Sequence, residues 1–171
     1  MTILRQEYRD GMAQLGAAVN IITTDGPAGR SGMTASAVVS VTDDPPTLAV
    51  CINRSSRNNE IMKVNGVLAV STLCSSQREV SNVFTGVTGC AREKRFKTGA
   101  WHPLATGAPT LKGTAVSLDC RITDVLEKGT HTIFFAEVEA VQIDGETEGL
   151  IYFGRDYHRV GTATQLVLEG V

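Results

Sequence analysis

Seven short runs rich in β-branched and apolar residues divide this chain, at 18–23, 34–41, 48–53, 67–73, 116–125, 132–141 and 150–153, and each is stopped by Gly, Pro, Asp or Asn. Runs of that length and make-up suit a pleated, half-buried strand. Three of the links between them carry turn chemistry: Asp25-Gly26-Pro27-Ala28-Gly29, Asp43-Asp44-Pro45-Pro46 and Asp144-Gly145. Such links join antiparallel neighbours as hairpins. A doubly wound parallel sheet needs a helix between successive strands, and this chain lacks that alternation. The expectation is a mainly β protein with a few helices, its strands closed into an antiparallel barrel. At 171 residues one domain spanning 1–171 suffices, with one core.

Three segments break the strand pattern as helices. At 3–15, Leu4, Tyr8, Met12 and Leu15 recur at helical spacing with Arg5, Gln6, Arg9 and Asp10 between them, which predicts an amphipathic helix lying on the sheet. A second helix is expected over 58–64, and a third over 77–84, capped at Ser75 or Ser76 and ended by Gly86. The stretch 86–111 is the longest irregular one and carries Arg92, Lys94, Arg95, Phe96, Lys97 and Trp101. Long loops of this kind serve as lids or binding loops.

The most telling segment joins the run ending at Ile52 to the helix at 58–64. Asn53, Arg54, Ser55, Ser56, Arg57 and Asn58 stand there in succession. A helix start gathers unpaired backbone N–H groups and positive dipole, Ser and Asn cap it, and arginine adds a charged fork for phosphate oxygens. The segment therefore reads as an anion cradle, or more plainly as a polar turn that caps a helix.

Composition narrows the chemistry. The net charge of −2, pI of about 5.9 and absence of any run of five like charges leave no electrostatic footprint for nucleic acid or an anionic membrane. Charges at Arg5, Glu7, Arg9 and Asp10 disqualify the N-terminus as a signal peptide, and no apolar run is long enough to span a bilayer. A cytoplasmic protein is expected. Cys51, Cys74, Cys90 and Cys120 form no C-x-x-C pair and no zinc spacing, so no metal is expected, and Cys51, Cys74 and Cys120 read as reduced core thiols. The stretch from Gly26 to Gly32 lacks G-x-G-x-x-G spacing and enters a strand, so it is a hairpin turn. Of the three histidines, His131 and His158 sit at strand ends, where an imidazole serves either a site or the strand alone.

Several motifs now combine in order: Gly16-Ala17-Ala18-Val19-Asn20-Ile21-Ile22-Thr23-Thr24, Thr34-Ala35-Ser36-Ala37, Ser40-Val41-Thr42-Asp43-Asp44-Pro45-Pro46, Gly129-Thr130-His131 and Tyr152-Phe153-Gly154-Arg155-Asp156-Tyr157-His158. Together they resemble the short-chain flavin reductases of two-component monooxygenases, over nearly the whole chain. The resemblance implies an FMN-binding split barrel of Greek-key antiparallel type, usually a homodimer. It implies oxidation of NADH or NADPH, with NADH favoured, and reduction of FMN or FAD for a flavin-dependent monooxygenase of the 4-hydroxyphenylacetate 3-monooxygenase type. It would set the flavin ring against Met33, Thr34, Ala35, Ser36 and Ala37 and its phosphate in the Asn53–Asn58 turn. Lys94, Arg95 and Phe96 would close over the flavin, and His131 and Tyr157 would face the nicotinamide. The pattern departs from the family at Thr130, where Asp is common, and at Arg57, where Ser or Thr is common. No side chain is required as an acid or base, because hydride passes directly between two stacked rings. Two alternatives share these residues: a reductase that retains its flavin and feeds another acceptor such as a corrinoid, and a flavin-binding split barrel without activity.

Overall fold

The computed structural model describes residues 3–144 and 148–161. In chain order the elements are α1 (Arg5–Met12), β1 (Ala17–Ala18), β2 (Asn20–Thr24), β3 (Ser31–Ala35), β4 (Val38–Asp43), β5 (Pro46–Asn53), α2 (Arg57–Asn65), β6 (Val67–Thr72) and α3 (Arg78–Thr85). There follow β7 (Trp101–Pro103), β8 (Pro109–Leu111), β9 (Val116–Lys128), β10 (His131–Gln142), β11 (Gly149–Phe153) and β12 (Asp156–Val160). Short 3₁₀ turns cover Ser75–Gln77 and Arg92–Lys97.

Seven strands form one sheet in the order β3-β2-β6-β9-β10-β5-β4, and every pairing in it is antiparallel. Its two outermost strands are consecutive in the chain. Laid flat, a sheet of this width would hold its edges about 29 Å apart. Ser36 and Ala37 alone join those edges, and the three virtual bonds from Ala35 to Val38 reach no more than about 11 Å. The sheet must therefore curl on itself, as the expected barrel does, with a split between β3 and β4. Two backbone bonds hold the bend, Val38 N–H to Ser36 O at 2.9 Å and Cys51 N–H to Ala37 O at 3.0 Å.

Strand periodicity then sorts the core into two compartments. Inside the curl, Ile22, Leu48, Val50, Ile52, Leu68, Phe134 and Met62 of α2 pack together. On the other face of β2, Ile21 packs with Val19, Leu73, Val80, Val83, Phe84 and Leu150 beneath α3 and a second sheet of order β1-β11-β12. A two-stranded sheet of β7 and β8 completes the fold. Burial pushes the Cys120 thiol up to about 12, with Asp119 and Glu139 adding repulsion, so it is a core side chain. Cys74 is buried as well, whereas Cys51 is half-buried.

Several sequence expectations change. The run 34–41 is two strands, because its halves bond to opposite edges of the sheet. The links at Asp25–Gly29 and Asp43–Pro46 are hairpins as expected. The one at Asp144-Gly145 is not a hairpin: β10 pairs only with β5 and β9, β11 only with β1 and β12, and Gly145 lies outside the described residues. The start of α3 is preceded by the 3₁₀ turn instead of a serine cap, while Gly86 ends it in the left-handed conformation. Within 86–111 the 3₁₀ turn and the β7–β8 pair are regular structure. Helix α1 is the largest departure. None of its residues is buried, and Leu4, Tyr8 and Met12 are exposed. Its pattern is amphipathic, yet among the described residues only an Arg155–Asp10 ion pair and Gly154 N–H to Ala13 O at 2.7 Å tie this helix and its end down.

Gly32 lets β3 approach α3 closely. A Cβ there would stand 2.8 Å from Phe84 Cε1 and 3.2 Å from Ile22 O. Gly32→Ala should therefore cost about 1–3 kcal/mol by overpacking, read as a lower urea midpoint at unchanged slope.

Candidate functional site

Edge strand β3 organises the candidate residues. One side of it has no strand partner, and α3 lies along it, with the Thr34 hydroxyl donating to Ser81 O at 2.7 Å. At the end of β3, Thr34, Ala35 and Ser36 line a hollow of about 440 Å³, a size typical of small-molecule sites. Tyr152, Tyr157, Arg78, Asn82, Arg155 and Asp156 form much of its remaining wall. The Tyr157 ring is fixed twice, by a 2.8 Å bond between its hydroxyl and Ser81 Oγ and by an edge-on contact with Tyr152 at 5.3 Å. Ser36 and Ala37 are exposed, and Met33 packs partly against the barrel core.

At the start of β3 a second pocket of about 410 Å³ is lined by Arg30, Ser31, Arg57, Arg92 and Phe96, with one carboxylate, Glu93, among them. It adjoins the first turn of α2. Ser56 caps that helix by accepting from Asn58 N–H at 3.3 Å, and Gly66 ends it in the left-handed conformation. The buried Asn58 side chain in turn bonds Ser31 Oγ at 2.5 Å, which fastens the turn to β3. Arg30 stacks over the Phe96 ring at 5.5 Å and pairs with Asp25. Arg57 and Arg92 have no ion pair or side-chain hydrogen bond among the described residues. Two unpaired guanidinium groups beside a helix start form an environment suited to an anion.

A third hollow, of about 500 Å³, lies on the other side of the turn against Asn53, Arg54, Ser55, Glu60, Gly129 and Thr130. Here the β5–α2 turn is strapped to the β9–β10 turn. Arg54 Nη2 lies 2.8 Å from Glu127 Oε2, and Lys63 Nζ lies 2.8 Å from Glu127 Oε1 and 3.1 Å from Glu60. The Lys63 hydrogen bond holds the Glu127 carboxyl below its usual range, and Glu127 raises Lys63 in return. His131 is exposed, pairs with Asn53 in the β10–β5 register, and shares a 2.9 Å bond between Nδ1 and Thr130 Oγ1.

The sixteen expected positions thus divide. Thr34, Ala35, Ser36 and Tyr157 come together in the first hollow, and Arg57 and Phe96 in the second. Asn53, Arg54 and Ser55 line the third, with His131 beside them. The Arg95 guanidinium is turned to the C-terminus of α3, donating to Phe84 O at 3.3 Å, and Lys94 is exposed without a side-chain partner among the described residues. Phe96 also packs edge-on against Phe84 and Trp101 at 5.2 and 5.1 Å. Sequence reasoning missed Arg30, Arg78, Asn82 and Asp156 as wall residues and placed Arg92 only within the 86–111 binding loop. Asp156 and Arg155 lay inside a motif that was read; Arg30, Arg78 and Asn82 carry no local signal.

These residues fit a flavin. The small side chains at the bend leave a flat ring room to approach a strand edge, and the paired arginine pocket suits a phosphate at the far end of the same strand. Comparison with known proteins points the same way. Residues 12–161 match the family model described as a flavin reductase like domain. The FMN reductase (NADH) RutF of Ancylobacter novellus is 54% identical over 158 residues, 92% of this chain and 86% of the relative. A crystal structure of a Haemophilus somnus protein assigned as a flavin reductase superposes with a TM-score of 0.88 at 41% identity, covering 92% of this chain and all of that one. The styrene monooxygenase flavin reductase of Pseudomonas putida gives 0.78 at 27% identity, covering 90% and 96%.

Acid should loosen the strap. A carboxyl whose folded value is depressed contributes stability that is present above its ordinary range and lost as pH falls through the folded value. Amide exchange at Asn53–Ser55 and Gly129–His131 should accelerate over that acid interval relative to the core, and Glu127→Gln should show the faster exchange at neutral pH without the acid step.

Proposed function

Since this chain belongs to the flavin reductase-like family, we propose that it oxidises NADH and reduces FMN or FAD, releasing reduced flavin to a flavin-dependent monooxygenase. The observation that carries the reading is edge strand β3, with a ring-sized hollow at Thr34–Ser36 and an arginine-lined pocket at Ser31. The names of the relatives support FMN and NADH as the pair, and that of the styrene monooxygenase reductase supports an oxygenase as recipient.

In this reading the flavin ring lies along β3 at Thr34–Ala37, over the partly buried Met33, and its phosphate is held at the Asn53–Asn58 turn by Arg57, with Arg92 beside it. The Thr34 hydroxyl proton is committed to Ser81 O, so Ser36 and backbone N–H groups remain as donors to the ring edge. A flavin held there would supply a ring whose N5 can take hydride from nicotinamide C4. The chain itself supplies position and dryness: small residues admit the rings face to face, and Tyr157, immobilised by Ser81, walls the donor side. His131 lies opposite Asn53 on β10, two strands from β4 in the sheet, and orients the donor from the side of the turn. Lys94, Arg95 and Phe96 form the roof, Arg95 by anchoring the loop to α3 and Phe96 by bounding the phosphate pocket.

A homodimer is part of the proposal. The apolar residues Leu4, Tyr8, Met12 and Leu15 support it, since a second copy would cover a face that the described residues leave open. The apolar run at 164–168 that suggested an interface from sequence lies outside the described residues. Four free cysteines accord with the reducing cytoplasm, and among the described residues no helix is long and apolar enough to cross a membrane.

Loss of nicotinamide absorbance on adding FMN to protein and NADH tests the reading; absence of flavin-dependent turnover would sink it. Arg57→Ala should weaken FMN binding about tenfold, as expected for a lost charge-assisted bond, measured by flavin fluorescence. His131→Ala should raise KM for NADH more than it changes flavin affinity, and the reverse order would remove His131 from the donor side.

A further inference from the structure

The reading above leaves two cations of the first hollow without a task. Arg78 opens α3, and Arg155 occupies the β11–β12 turn with φ of 66°, the one non-glycine positive φ among the described residues. Their side chains are 57% and 55% exposed. Arg78 lies with its Cζ 4.8 Å over the Tyr157 ring, and its nearest carboxylate, Asp156 Oδ1, is 3.6 Å away. That spacing is an ion pair without a hydrogen bond. Arg155 gives one Nη2 to Asp10. A guanidinium has five N–H donors in a planar fork, so each retains a free edge at the wall of the hollow.

The chemistry of a reduced dinucleotide explains why cations would stand there. Its nicotinamide must reach the ring-sized space at Thr34–Ser36, and the hollow of about 440 Å³ cannot also enclose the rest of a molecule that size beside a flavin ring. The remainder leaves across the wall, and the next charged group along it is a diphosphate with two negative charges. We propose that Arg78 and Arg155 form the diphosphate subsite for the hydride-donating dinucleotide, with Tyr157 serving both as the shelf under Arg78 and as the wall of the nicotinamide space. This rests on the flavin reductase reading. Asp156 stands beside the Arg78 fork, Asp10 takes one Nη2 of Arg155 in anchoring α1, and the remaining N–H donors of both forks are left for phosphate.

Arg78→Gln and Arg155→Gln should each raise KM for NADH about tenfold, equivalent to the loss of one charged hydrogen bond. The rise with reduced nicotinamide mononucleotide, which has no diphosphate, should be at most about a third as large, and FMN affinity should move less than KM for NADH. ADP, which has the diphosphate and no nicotinamide, should bind wild-type protein in calorimetry and bind the double variant about tenfold or more weakly. Asp10→Asn separates anchoring of α1 from ligand binding and should leave KM for NADH at the wild-type value. Equal effects on NADH and the mononucleotide, unchanged KM for NADH in both arginine variants, undiminished ADP binding by the double variant, or an Asp10→Asn effect matching that of Arg155→Gln would each overturn the subsite. Failure of the functional reading shows separately, as wild-type protein that does not turn over NADH with flavin, and ADP binding reads the subsite without turnover.

Discussion

Ser36 and Ala37 must carry the chain from one free edge of a seven-stranded sheet to the other, and much of the architecture follows from how short that bridge is. A sheet whose edges are joined by two residues has to curl, and curling gives β2 two buried faces, one inside the barrel around Phe134 and one beneath α3 around Phe84. It also leaves a seam. Along that seam β3 has an unpaired flank, and the bridge itself is built from small residues because nothing larger than a hydroxyl is needed where backbone turns between two edges. The seam and the small side chains belong to one geometric solution.

The anion pocket depends on the same curl. Ser31 at the start of β3 bonds Asn58 in the first turn of α2, 27 positions further along the chain, so the helix start is drawn to the edge strand. Arg30 and Arg57 reach the pocket from these two elements, and Arg92 reaches it from the long loop. Three cations gathered from three segments would repel one another in isolation. Asp25 offsets Arg30, and the Phe96 ring gives that guanidinium an aromatic face, which leaves Arg57 and Arg92 as the pair available to a ligand.

Local chemistry made some of this readable in the amino-acid order and left the rest hidden. Ser56 before α2 and Gly66 after it are cap residues whose effect needs no tertiary partner, so the helix and its capping turn were legible in the residues themselves. The break inside 34–41 could not, because Thr-Ala-Ser-Ala-Val-Val-Ser-Val has continuous strand character and only the identity of the two flanking partners divides it. Helix α1 shows the opposite limit. Its periodicity forecasts an apolar stripe correctly, but periodicity does not say which surface covers the stripe, and none among the described residues does. Arg78 and Asn82 carried no signal, since their role depends on α3 lying along β3. The family resemblance supplied the Tyr152–His158 motif as a unit, and the structure divides its residues: Tyr157 faces the hollow, whereas His158 bonds Phe153 O across the hairpin.

Ser81 has one further consequence. It is fully buried, accepts the Thr34 proton on its carbonyl, and meets the Tyr157 hydroxyl with its own. Floor and wall of the hollow are thereby coupled through a single residue of a helix that neither belongs to. The opening between them behaves as a calliper of set width rather than a pliable cleft, so planar molecules are gauged by thickness before any charge is consulted.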